Sequence, residues 1–258
     1  MTVLMQEMSW PAFEEKTKAL APFFLPVGAT EQHGPHLPLG TDAFLPTHVA
    51  KEVAARVGGV VAPAIPYGYK SQPRSGGGQH FPGTTSLAAN TLTLVVRDVI
   101  HDLGLHGARR FVVVNGHVEN AWPVIEGIDL ALRELRRDGI DDAVALRLEY
   151  WDFVQTETLD RLFPDGYPGI DLEHASLLET SMMLLVRPDL VDMSKIPNDG
   201  PAEFPKFDRY PTPPGLVPAS GVLARAQGST AEKGEWLLTD HVNLITEAIS
   251  AEFSLQTR

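Results

Sequence analysis

Phe23-Phe24-Leu25-Pro26-Val27 runs through Gly28-Ala29-Thr30 into Glu31-Gln32-His33-Gly34-Pro35-His36. The first five residues are a short apolar run bounded by turn formers, the pattern of a buried strand. Three more segments carry it: Val60 to Ile65, Arg110 to Asn115 and Ala143 to Leu148. Between them lie stretches with helical spacing. Thr41 to Val57 opens on Thr41 and Asp42 as cap candidates and stops at Gly58 and Gly59. Thr91 to His106 sets Leu92, Val95, Val96, Ile100 and Leu103 on one face, and Asn120 to Arg137 does the same with Val124, Ile125, Ile128, Leu132 and Leu135. Ala231 to Phe253 is a closing helix. Such alternation predicts an α/β fold with a mostly parallel sheet covered on both faces. We expect one domain over residues 1–258, because strong motifs flank the glycine-rich stretch Pro66 to Ser86. The proline-rich stretch Pro197 to Gly221 reads as irregular surface chain, and loops of this length are functional or disordered.

Composition removes several classes of function. There is no cysteine, which excludes disulfides, thiolate metal sites and cysteine nucleophiles and fits a cytoplasmic setting. The net charge of −12 argues against nucleic acid and acidic membrane surfaces as partners. Met1 to Trp10 lacks a signal-peptide pattern, and Ala19 to Thr30 is too short to span a bilayer.

The chemistry gathers in two clusters. Glu31 and His33 stand two apart after the first strand, where extended chain points both to one side. Open α/β sheets bind ligands at such carboxyl ends. His117 and Glu119 repeat the spacing in reverse after the third. With Asp42, these make three carboxylates and two imidazoles, more than one tetrahedral zinc uses. Asp42 bridging two ions is the economical arrangement, and nitrogen and oxygen donors suit zinc or manganese. The alternative is that each His is an ordinary hydrogen-bonded core residue.

Other residues carry weaker signals. His36 reads as a donor behind the ligands, and His80 as backbone shaping. His48, His101, His106 and His241 read as ordinary surface or helix-end residues. Glu179 either supports the metal shell or caps a helix. Trp122 is a candidate for a pocket rim. The Gly76 run is not followed by G-K-[ST], so it reads as a mobile loop that approaches a ligand closely rather than as a phosphate cradle.

Residues 25–36, 67–72, 75–78 and 80–87 resemble the creatininase family. So do Asn115-Gly116-His117 with Glu119-Asn120, residues 126–136 and 150–154, and Asp171-Leu172-Glu173-His174 with Glu179-Thr180-Ser181. The resemblance spans nearly the whole chain. It implies a three-layer α/β/α sandwich, a homohexamer and two divalent ions per chain, zinc or manganese. One ion would be held by Glu31, Asp42 and His117, the other by His33, Asp42 and Glu119. It places Ser75, Trp151, Asp171, Glu173 and His174 around a small amide substrate. Two positions depart from the family pattern: Val118 stands where a tyrosine is expected and Ile170 where a tryptophan is. The resemblance places both in the wall around the substrate.

The expected reaction is hydrolysis of a cyclic or small amide by metal-bound hydroxide, with creatinine to creatine the leading example. His174 serves as general acid, and Glu119 or Glu173 as proton relay. The alternatives are a family relative that deformylates or opens another nitrogen heterocycle, and a catalytically silent metal-binding scaffold.

Overall fold

The computed structural model describes residues 2–199 and 201–255; Met1 of the N-terminal segment and Gly200 of the proline-rich stretch lie outside them. In chain order the main elements are α1 (Trp10–Lys18), β1 (Pro22–Val27), α2 (Thr41–Val57), β2 (Val60–Val61), α3 (Pro73–Gly76), α4 (Ala89–Leu105), β3 (Arg110–Asn115), α5 (Ala121–Arg137), β4 (Val144–Glu149), α6 (Thr156–Leu162), α7 (Leu177–Val186) and α8 (Ala231–Phe253). The strands form one parallel sheet in the order β2-β1-β3-β4.

Strand alternation distributes the core. Phe24, Val112 and Val114 face one cluster with Leu45 and Val49 of α2, Met182 of α7 and Ile245 of α8. Phe23, Leu25, Phe111 and Val113 face the other with Leu92 and Val96 of α4 and Val124 and Leu135 of α5. The expected helix–sheet–helix layering is therefore present.

The second strand is shorter than expected. Pro63 has no N–H to give, and the ladder ends at Val61, leaving an isolated bridge between Val27 and Ile65. Pro26 is tolerated in central β1 for a related reason. Its side of β1 faces β2, which has already ended, and its carbonyl still accepts from Ile65 N at 3.0 Å.

Helices α1, α6 and α7 were not anticipated. Helix α7 (Leu-Leu-Glu-Thr-Ser-Met-Met-Leu-Leu-Val) is apolar nearly all round and so carries no amphipathic stripe. The boundary of α2 agrees with the sequence, but its cap is Gly40, and Asp42 lies buried in the first turn. Two glycines hold it there. A Cβ on Gly28 after β1, or on Gly116 after β3, would come within 2.3 Å of the Asp42 carbonyl oxygen. Only glycine lets both strand ends close on the start of α2. The proline-rich stretch has no helix or strand among its described residues, as expected. No described helix is long and apolar enough to cross a membrane.

Candidate metal centre

Neighbouring strands β1 and β3 deliver Glu31, His33 and His117 to one buried space, and α2 adds Asp42. His117 Nδ1 lies 3.2 Å from Glu31 Oε1 and 3.1 Å from Asp42 Oδ2. His33 Nε2 lies 2.9 Å from Asp42 Oδ1 and 3.6 Å from Glu179 Oε2. His174 Nδ1 lies 3.6 Å from Glu31 Oε1.

The three imidazoles share a pattern. One nitrogen of each meets a backbone carbonyl: His33 Nδ1 that of Glu31 at 3.2 Å, His117 Nε2 that of Tyr69 at 3.1 Å, and His174 Nε2 that of Gln32 at 2.8 Å. A carbonyl only accepts, so that nitrogen carries a hydrogen and the other is left facing the carboxylates. Histidines that ligate metals are oriented in this way.

The electrostatics agree. Burial by itself would strip His33 and His117 of their protons, yet the surrounding carboxylates raise both well above the ordinary range. Burial drives the Glu31 carboxyl up to about 8, while at Asp42 the two imidazoles overcome burial and hold the carboxyl below its usual range. The cluster demands positive charge. Four of its buried atoms, Glu31 Oε2, His33 Nε2, Asp42 Oδ2 and Glu119 Oε2, have no hydrogen-bond partner. His33 Nε2 and Asp42 Oδ1 are close but not aligned for a hydrogen bond. Glu31, His33 and Asp42, which carry such unpartnered atoms, lie in groups close enough to share a ligand, which fits a divalent cation.

The structure divides the donors differently from the sequence expectation. Glu31, Asp42 and His117 form one metal-competent group, as expected; His33 and Asp42 form another with Glu179, and Glu31, His33 and His174 form a third. Glu119 is not brought to His33. Its Oε2 sits 3.3 Å from His117 Nε2, on the ring edge away from Asp42, and its Oε1 accepts from Gln72 N and Ser75 Oγ, each at 2.8 Å. The position of Glu179 is compatible with both roles left open above, since its Oε2 lies 3.6 Å from His33 Nε2 and accepts from Ala175 N at 2.6 Å just before α7.

The remaining candidates separate. Trp151, Ile170 and Glu173 line a cavity beside the cluster, whereas Val118 and exposed Asp171 do not line it. Ser75 instead holds Glu119, from a backbone φ of +76°. The Gly76 run packs at the centre: a Cβ on Gly76 would lie 2.9 Å from Glu31 Oε2. His36 Nε2 meets Thr180 Oγ1 at 2.9 Å, behind His33. His80 is exposed against Phe81, and Trp122 is 79% exposed, away from the cavity. His101 pairs with Asp138 at 2.7 Å. His241 is a correction: it is buried, lines the cavity and gives its Nδ1 hydrogen to Phe153 O at 2.8 Å.

A parallel α/β sheet with a buried carboxylate–imidazole centre at adjacent strand ends defines an α/β protein with side-chain groups able to hold a metal ion. Comparison narrows the class. The family described as "Creatininase: Creatinine amidohydrolase" matches residues 6–249. The creatinine amidohydrolase of Pseudomonas putida is 48% identical over 254 residues, 98% of each chain. Two solved structures, a manganese form of creatininase and a mutant creatininase complexed with creatine, superpose with a TM-score of 0.96 at 48% identity, covering 98% of this chain and 99% of theirs. The chain belongs to the creatininase family of amidohydrolases.

Proposed function

We propose that this protein hydrolyses the ring amide of creatinine, or of a close cyclic analogue, to the open-chain acid, using two divalent ions, zinc or manganese. The observation that carries the reading is the set of unpartnered buried donors on Glu31, His33 and Asp42 in a chain 48% identical to a creatinine amidohydrolase. One ion would take Glu31, Asp42 and His117. The second would take His33 and Asp42, and the distances favour Glu179 over Glu119 as its third donor. Bound there, the ions would lower the pKa of water to about 7 and polarise the amide carbonyl.

The protein's own groups handle the protons. His174 Nε2 lies 2.8 Å from Gln32 O and 2.9 Å from Gln32 Nε2. The Gln32 amide hydrogens go to Gly76 O and Gly221 O, which leaves the Nε2 hydrogen to Gln32 O, and burial lowers the imidazole pKa well below its ordinary value. The resting ring therefore presents a lone pair at Nδ1, not a proton. It first takes a proton from the attacking water, then returns it to the departing ring nitrogen. This reverses the starting state expected of a general acid. Glu119, anchored at Oε1 by Ser75 and Gln72 with Oε2 unpartnered, is suited to relay that proton, and Glu173 is the second candidate.

The assembly is a homohexamer working in the cytoplasm, as the family resemblance suggests; light scattering tests the first and fractionation the second. The test of function is creatine formed from creatinine by purified protein of measured metal content. Protein carrying two ions per chain that opens neither creatinine nor any analogue would overturn the reading.

A further inference from the structure

The cavity beside the centre has a volume of about 290 Å³, near the low end of ligand pockets (roughly 300–1,000 Å³). Val154, Leu159, Ile170, Leu178, Met182 and Leu237 give it aliphatic walls, and the rings of Tyr150, Trp151, Tyr167 and His241 complete them. Three carboxyl groups also line it, those of Asp152, Glu173 and Glu179. Glu179 joins it to the centre, with Oε2 3.6 Å from His33 Nε2. Glu173 is 3% exposed; its Oε2 accepts from Leu178 N at 3.0 Å, and its Oε1 has no partner.

These features specify an occupant. Aliphatic walls offer water few hydrogen bonds but offer an apolar group full dispersion contact. At the carboxyl end the occupant must satisfy Glu173 Oε1, and a nitrogen bearing both a hydrogen and a lone pair does so whether that carboxyl is protonated or not. Because Glu179 borders both spaces, one molecule can place its amide at the centre and a substituent between the aliphatic walls.

Resting on the amide-hydrolase reading above, we propose that the cavity is a substrate subsite, and that the preferred substrates are creatinine-type cyclic amides whose ring N-methyl is replaced by a larger alkyl or arylalkyl group, with the exocyclic nitrogen on Glu173 Oε1. The balance is plain hydrolysis. The ring C–N bond breaks, the hydroxyl of water goes to the acyl carbon and its proton to the ring nitrogen. The substituent stays on the guanidino product, and nothing is oxidised or reduced.

The test measures kcat/KM on metal-loaded protein for the 1-methyl, 1-propyl, 1-butyl and 1-benzyl compounds, with calorimetric binding of their ring-opened products. Burial of each added methylene predicts a gain of about three- to fourfold, up to butyl. Leu159→Trp, which fills the cavity, should collapse the butyl-to-methyl ratio; Leu159→Phe is the milder variant should the tryptophan form not fold. Hydrolysis of creatinine with a flat or falling series overturns the subsite and leaves the function standing. Chain-length-dependent binding without turnover of any member supports the subsite and removes the hydrolase reading. Flat binding without turnover overturns both.

Discussion

Acid should loosen the floor of the cavity through one residue, His241. It is 3% exposed on α8, its ring lies 5.4 Å from that of Tyr150, and its Nδ1–H holds Phe153 O. Burial lowers its pKa from 6.5 to about 4; the Phe153 carbonyl and Asp240 oppose the shift without cancelling it. The sign follows from linkage. Near pH 7 neither the folded nor the unfolded chain protonates this ring. As pH falls below 6.5 the unfolded chain takes up a proton that the folded chain refuses, so stability drops until pH reaches about 4. At about 1.4 kcal/mol per pKa unit, the loss is roughly 2 kcal/mol at pH 5 and about 3 kcal/mol once complete. His241→Asn keeps an N–H near the Phe153 carbonyl but cannot titrate. Urea unfolding of both proteins at pH 7 and pH 5 should show the unaltered chain losing about 2 kcal/mol more than the variant over that interval. Equal losses in the two proteins would mean that His241 is already hydrated, or already protonated, in the folded state.

Three other outcomes are expected. Asp42→Ala should lose both metal ions by elemental analysis, since Asp42 belongs to both groups; a full complement at normal affinity would remove it as the bridge. Glu179→Ala should lose one ion, the one beside His33, and retention of both with unchanged affinity would return that role to Glu119. His174→Ala should keep its metal but lose turnover by ~10²–10⁴-fold, and a variant with most of its activity intact would take His174 out of the proton path.

The parts legible in the sequence are those whose signal is local. Arg110 to Asn115 and Thr41 to Val57 were found to the residue because an apolar run or a 3.6-residue stripe bounded by glycine leaves little choice. Glu31, His33 and His117 could be read because each lies a few residues beyond the carboxyl end of a strand, and the fold adds only that β1 and β3 are neighbours. Asp42 was legible as a ligand candidate but misread as a cap, since nothing local shows Gly28 and Gly116 closing on it.

Glu179 marks where this kind of reading stops. It lies on α7, whose apolar surface carries no phase, so its direction is set only when that helix packs against α2 and α8. His241 is different, because a usable signal was present. Leu237, Ile245 and Ile249 stand at −4, +4 and +8 from it on α8, and all are buried. A histidine in phase with that stripe belongs to the core face and not to the surface. The cavity has no such signature, since its aliphatic walls come from α6, α7, α8 and the segments holding Val154 and Ile170. Catalytic donors can be read from strand ends, whereas substrate preference is written in how distant helices meet. For that reason the family's chemistry can be assigned to this chain from its motifs, while its choice of ring substituent must be argued from the packed structure.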